Sequence, residues 1–167
     1  MLGANHNFNA KNLLFLSDLL GLADMIFVAF MALAFIGMEV TAWAAHRYLM
    51  HGPLWFLHRD HHVPGTGIFQ QNDWFALIFA LPSFFSILFG SILNQSALSG
   101  FGFGIMAYGL AYLLAHEILI HRRIILFKPP TKGYLRAIVR RHQIHHQKRE
   151  KENGRNFGML WAPPSEW

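Results

Sequence analysis

The sequence predicts an all-α integral membrane protein, a single domain of three to four transmembrane helices with a histidine-rich cap on one side of the bilayer. Three observations carry this expectation. Apolar residues make up 53% of the 167 positions and charged residues only 14%, where soluble domains carry about 25% charge, so the surplus apolar surface must face lipid. The apolar residues gather in three stretches long enough to cross a hydrocarbon core. Ten of the eleven histidines fall in four dense groups beside those stretches, with only His6 elsewhere.

In chain order, the first apolar run is NLLFLSDLLGLA, residues 12–23, interrupted by Asp18 and closed by Asp24. Joined to the next stretch it makes a helix longer than the bilayer unless that helix tilts or bends. Residues 1–23 are therefore expected to be an interfacial segment or a bent extension of the first span. No basic residue precedes Lys11 and the run breaks early, which argues against a signal peptide.

The first span covers 25–45, MIFVAFMALAFIGMEVTAWAA, with Glu39 as its single charge. At about 1.5 Å per residue it matches a hydrocarbon core of about 30 Å. The second covers 74–93, uncharged, with a Pro82 that a membrane helix tolerates because neighbouring groups satisfy the freed carbonyl. Asn72 and Asp73, just before it, read as its cap. The third covers 98–115, also uncharged, and its Ala107, Ala111 and Ala115 recur every four residues as a candidate seam for close helix approach.

Basic residues set the orientation. Eleven of the fourteen Lys and Arg follow the third span, Arg47 and Arg59 lie in the first histidine region, and only Lys11 falls on the other side. By the positive-inside tendency the histidine regions, 46–73 and 116–167, are cytoplasmic. The NQSALSG connection is short and uncharged, so the second and third spans form a hairpin that brings both regions to one face. A basic tail beside three spans reads as cytoplasmic rather than as a nucleic-acid site.

The histidine spacing then becomes informative. His46 and His51 are five apart, as are His116 and His121; His58, His61 and His62 repeat as His142, His145 and His146. Residues three and four apart share a helix face, so each H-x-x-H-H element is expected to present three imidazoles to one side. Residues five apart diverge by about 140° on an α-helix, so each H-x4-H pair is expected to straddle a bend or to serve two metals. Gly52 and Pro53 supply such a bend after His51.

Five histidines offered twice suggest two metal ions. With no cysteine in the chain, disulfides, thiolate-ligated zinc and iron-sulfur clusters are excluded. Neutral imidazole suits iron, copper, nickel and zinc. An almost all-histidine dinuclear site at a membrane edge points to iron that activates oxygen. Glu39 is an ionisable group inside a span, two turns from His46 and on its face, and is expected to orient ligands. Asp60 and Glu117 stand beside ligands and are expected to accept imidazole protons. The glycines of GFGFG, 100–104, lie in a span with no strand before them and are no dinucleotide fingerprint.

The order H-x4-H, H-x-x-H-H, H-x4-H, H-x-x-H-H resembles the membrane fatty acid hydroxylase superfamily. The surrounding residues MEVTAWAAHRYLMHG, LHRDHH, NDWFA, HEILIHRR, RRHQIHHQK and FGMLWAP resemble its bacterial β-carotene 3-hydroxylase branch, over about three quarters of the chain. The resemblance implies a non-haem di-iron monooxygenase, its cytoplasmic di-iron cap held by the ten patterned histidines and its membrane the bacterial inner membrane. It implies hydroxylation of carbon 3 of each β-ionone ring, giving β-cryptoxanthin and then zeaxanthin, with O2 as co-substrate. No haem or flavin segment is visible, so electrons are expected from a separate carrier such as ferredoxin, attracted by the basic tail. Two competing readings stand beside it: a fatty acid or sterol hydroxylase of the same superfamily, and a histidine-rich metal transporter. Transport needs polar sites along the spans, and the second and third offer none in their interiors.

Overall fold

The computed structural model describes residues 10–63 and 69–167, with side chains from Asp18 onward. Helices α1 (Ala10–Ala44), α2 (Trp55–His62), α3 (Trp74–Ile92), α4 (Ser96–Tyr112) and α5 (Gly133–His146) account for most of these residues, and no strand occurs among them. Helix α1 runs unbroken for 35 residues, about 52 Å at 1.5 Å per residue. It thereby includes the 12–23 run, while residues 1–9 lie outside the described part. Among the described residues, three segments are long and apolar enough to cross a membrane: Asp18–Met50, Gln71–Ile92 and Ser96–Ile120. Their outward faces carry large apolar side chains such as Leu20, Val28, Ile36, Leu81, Phe84 and Leu110, the surface that lipid requires.

Helix α4 packs against both α1 and α3. The seam of closest approach is glycine, which corrects the expectation of an alanine seam. A Cβ at Gly100 would stand 2.2 Å from the Phe27 carbonyl oxygen of α1, and one at Gly104 2.4 Å from that of Met31. On the other flank a Cβ at Gly102 would meet Ile87 and Ser83 of α3 at 2.8 Å. Gly100 and Gly104 share a face at four-residue spacing while Gly102 points away from them, so the GFGFG run serves both neighbours at once. Ala107 and Ala111 have the same spacing but are only half-buried, and of the expected alanines only Ala115 is buried; spacing alone could not tell the two sets apart. Ser83 Oγ donates to the Gly102 carbonyl at 2.8 Å inside this interface. Toward the histidine end, Met38, Ile105 and Tyr108 form a buried cluster with Phe35 and Phe79.

Both H-x4-H pairs lie on π-helical turns, Ala45–Met50 and Leu113–Ile120, that continue α1 and α4. His51 N–H donates to the His46 carbonyl at 3.0 Å, and His121 N–H to that of His116 at 2.9 Å. An i→i+5 bond widens the turn, so the fifth residue returns to nearly the same side. The α-helical divergence expected of these pairs is thus absent, and no bend separates their members. Past His51 the chain does turn, at His51–Leu54, into α2.

A matched pair of substitutions tests the glycine seam. Gly100→Ala should lower thermal stability in detergent by the equivalent of about 1–3 kcal/mol, the usual cost of overpacking. Gly109→Ala, where an added Cβ meets nothing within 4 Å, should leave the unfolding temperature unchanged or slightly raised. Equal effects at the two positions would refute the seam.

Candidate metal centre

The spans deliver the histidines to one place. His46, His51, His58, His62 and His145 form one group and His61, His121, His142 and His146 another, each with one nitrogen per residue within 4.8 Å of all the others. His116 joins the second group through His61, Nε2 to Nε2 at 3.0 Å. Each H-x-x-H-H element therefore divides between the groups instead of presenting one face to one ion. On a helix, residues four apart lie about 40° apart, whereas the residue three on lies about 60° to the other flank. His58 and His62 accordingly stay together and His61 crosses over; His142 and His146 stay together and His145 crosses. Both members of each H-x4-H pair fall in a single group, which removes the expectation that they serve two metals.

Hydrogen bonds fix the chemical state of the rings. Nδ1–H of His46 donates to the Phe157 carbonyl (2.9 Å), that of His51 to Lys151 (3.0 Å), that of His62 to Lys148 (2.9 Å) and that of His145 to Arg155 (2.8 Å). His58 Nδ1–H donates to Asn72 Oδ1 at 2.6 Å and His61 Nδ1–H to Gln70 Oε1 at 3.1 Å. A carbonyl can only accept, so Nδ1 carries the proton and Nε2 of a neutral ring is a bare lone pair. Those Nε2 atoms face one another. In the first group they run as a chain, His46 to His58 (3.1 Å), His58 to His62 (3.1 Å), His62 to His145 (3.1 Å) and His145 to His51 (3.2 Å).

Lone pairs pointed at each other repel unless a cation lies among them. Two nitrogens about 2.1 Å from one ion and at right angles stand about 3.0 Å apart, while tetrahedral ligands stand about 3.4 Å apart. The observed separations of 3.0 to 3.2 Å are those of nitrogens that share one ion. In the second group His121 and His142 face each other at 3.0 Å, and His142 Nδ1 and His146 Nε2 are buried with no protein partner. The donor set fits metal ions. Burial, reinforced by neighbouring imidazoles, pushes His58 and His62 down to about 3 and His146 to about 4. Burial also takes His121 to about 3, so at neutral pH these rings keep their lone pairs.

The carboxylates take different roles. Glu117 accepts from His116 Nδ1–H and pairs with Arg123 Nε at 2.8 Å, and Arg123 reaches Asp73 at 2.9 Å. Asp60 corrects its expectation: Oδ2 accepts the Gln71 N–H at 2.6 Å and no described imidazole bonds to it. Its position on α2, two residues after His58 and two before His62, turns it about 160° from each. Glu39 likewise bonds to no described imidazole, and its carboxylate holds the backbone of Met159, Leu160 and Trp161. Asp73 accepts the Gln70 N–H at 3.0 Å and so caps the 3-10 turn Gln71–Asp73 instead of α3, to which its side chain makes no cap bond, and Asn72 is a buried partner of His58 and not a cap. Gln70, Asn72 and the carbonyls of 148–157 are what spacing could not reveal; only an amide side chain directly before a span hinted at them. Phe157 packs edge-on against His46, His51 and His145 at 5.2 to 5.3 Å, Trp55 lies 5.1 Å from His51, and Tyr112 stacks on His116 at 4.6 Å. These rings keep water from the lone pairs.

Fold and site together define a class, a helical membrane protein whose membrane-edge cap is fitted to hold metal on imidazole nitrogens. The chain belongs to the Fatty acid hydroxylase family, whose profile matches residues 31–163. It is 44% identical over 129 residues to a beta-carotene hydroxylase of Pantoea ananas, covering 77% of this chain and 73% of that one. It is 38% identical to a beta-carotene hydroxylase of Pseudescherichia vulneris (78% and 73% covered) and 35% identical to one of Paracoccus sp. (76% and 78% covered). No solved structure matches the chain.

Asn72 offers a direct check. Asn72→Ala should weaken metal retention about 10- to 100-fold, the usual cost of removing a hydrogen-bond partner of a ligand, measured by competition with a chelator, and should lower the stability of the metal-free protein by about 1–3 kcal/mol, because the buried His58 Nδ1–H loses its acceptor. A purely capping residue would lower stability and leave metal retention unchanged.

Proposed function

We propose that this chain hydroxylates carbon 3 of the β-ionone rings of β-carotene, giving β-cryptoxanthin and then zeaxanthin, with O2, external electrons and two iron ions. The observation that carries the reading is nine imidazoles in two groups, with His116 joined to the second through His61, their nitrogens facing one another, in a chain similar along most of its length to curated beta-carotene hydroxylases. Five rings per group exceed the four ligands of a tetrahedral structural zinc site, which supports iron.

Bound iron would supply the redox chemistry that activates O2. His46, His51, His58, His62 and His145 would hold one ion, and His61, His116, His121, His142 and His146 the other. One oxygen atom enters the ring C–H bond and the other leaves as water, so each hydroxylation consumes two electrons and two protons. The chain's own residues aim and shield this chemistry. Carbonyls of 148–157, the side chains of Asn72 and Gln70 and the Glu117 carboxylate hold His46, His51, His58, His61, His62, His116 and His145 by the Nδ1 proton, leaving these imidazoles little freedom to reorient. Phe157, Trp55 and Tyr112 exclude water. A long apolar polyene dissolves among acyl chains and reaches a site at the span ends without entering water.

Electrons come from a separate acidic carrier such as ferredoxin, drawn to the basic segment that includes Arg149, Lys151 and Arg155. The cap faces the cytoplasm at the bacterial inner membrane. Single cysteines at Lys132 and Glu152 should react with a membrane-impermeant thiol reagent only after the cytoplasmic side is opened; labelling in intact cells would reverse the orientation.

Carbon 4 of the ring is allylic and holds the weaker C–H bond, so attack at carbon 3 requires that geometry outweigh bond strength. Expressed in a bacterium that accumulates β-carotene, the chain should yield β-cryptoxanthin and zeaxanthin by chromatography and mass spectrometry, and His61→Ala should abolish both. Hydroxylated fatty acids beside unchanged β-carotene would transfer the assignment to lipid, and unchanged pigment with altered cellular metal would indicate transport.

A further inference from the structure

The segment between α5 and the short 3-10 turn Pro164–Glu166 has no regular secondary structure, yet it supplies the Nδ1 acceptors of four of the five rings in the first group: the carbonyls of Lys148, Lys151, Arg155 and Phe157. None of the second group's identified Nδ1 partners comes from it; Gln70 and Glu117 serve there. A strap without its own backbone ladder needs an external anchor to hold carbonyls to tenths of an ångström. Tyr134 Oη donates to the Leu160 carbonyl, Asn156 Nδ2 to the Arg141 carbonyl, and Ala162 packs on Ala137 and Ile138, all ties to α5; the anchor to the spans is Glu39. Oε1 accepts the N–H groups of Met159 (2.9 Å), Leu160 (3.1 Å) and Trp161 (3.0 Å), and Oε2 accepts Leu160 N–H (3.0 Å) and the Tyr108 hydroxyl (2.7 Å). Gly158 lets the strap come this close, since a Cβ there would stand 3.1 Å from Oε1. One carboxylate on α1 and one hydroxyl on α4 thereby tie the strap to two spans.

We propose that Glu39 is a positioning residue for the first histidine group alone, acting through the strap that it latches at the membrane edge. It touches no histidine. Its loss releases the strap from the spans while α5 still holds it at Asn156 and Leu160, shifts the Phe157 and Arg155 carbonyls from His46 and His145, and leaves the second group oriented as before. The proposal rests on the metal-binding reading above, and one of its readouts is independent of metal and of activity.

The experiment compares purified full-length wild type, Glu39→Ala, Glu39→Gln, Tyr108→Phe and, as a control for general destabilisation, Gly104→Ala, whose added Cβ lies in the helix seam. Two quantities are measured: metal per chain after dialysis against a chelator, and the rate of tryptic cleavage after Lys151 and Arg155. Glu39→Ala should lose half of the bound metal and be cut at least about tenfold faster, as expected when a local contact is released. Glu39→Gln keeps an acceptor oxygen and should fall between Glu39→Ala and wild type, with Tyr108→Phe nearer wild type. Gly104→Ala should lower the unfolding temperature while keeping its metal and its resistance to trypsin. Wild-type metal content and cleavage rate in Glu39→Ala would overturn the proposal, and so would loss of all metal in step with Gly104→Ala. Should Glu39→Ala not accumulate, Glu39→Gln decides by the same two quantities. Wild type that binds no metal would defeat the metal-centre reading, while the cleavage rates would still decide whether Glu39 latches the strap.

Discussion

An imidazole has two nitrogens, and the whole architecture follows from giving them separate tasks. When Nε2 must present a lone pair to the interior of a cluster, the proton sits on Nδ1, and a buried N–H without an acceptor costs about 1–3 kcal/mol. Converging rings therefore need an outer layer of acceptors. Here that layer consists of the carbonyls of Lys148, Lys151, Arg155 and Phe157, the amides of Gln70 and Asn72, and the carboxylate of Glu117. The irregular strap, the 3-10 turn Gln71–Asp73 and the π-helical turn of Leu113–Ile120 are each placed by this requirement.

The two histidine groups are related by an exchange. Each H-x-x-H-H helix keeps its first and third imidazoles for one group and lends the middle one to the other, so α2 and α5 are tied together by the cluster they share. The outer layers are not equivalent. Neutral backbone carbonyls surround most of the first group, whereas His116 in the second donates to a carboxylate that is itself paired with Arg123. A carboxylate draws the Nδ1 proton more strongly than a carbonyl does and makes the opposite nitrogen a better donor. Two ions of the same element in this frame would meet different ligand strengths.

The spans serve as a rigid mount. Glycines at 100, 102 and 104 let α4 sit against α1 and α3 at backbone contact, and in lipid such packing replaces the hydrophobic drive that holds soluble helices together. Both H-x4-H pairs grow from the ends of α1 and α4, so the depth of the metal centre is set by the ends of the spans. A polyene resting among acyl chains meets the centre at that depth.

Periodicity and composition determined a great deal by themselves. An apolar run of about 20 residues can only be a span in a chain this poor in charge, and ten histidines in four patterned groups beside the spans have no role as isolated core residues, so the helical membrane class and the cluster were legible. The distribution of histidines between two groups was not, because it depends on turns of five that an α-helical period misreads and on a middle residue crossing to the opposite group. Nor were the acceptors. Asn72 looks like a cap from its neighbours, Asp60 looks like a proton acceptor from its neighbours, and Glu39 shares a face with His46 but reaches a segment 120 residues onward. Hydrogen bonds of that kind join parts of the chain with no common periodicity, and backbone carbonyls carry no side-chain signature, so only the folded chain decides which of them meet an imidazole.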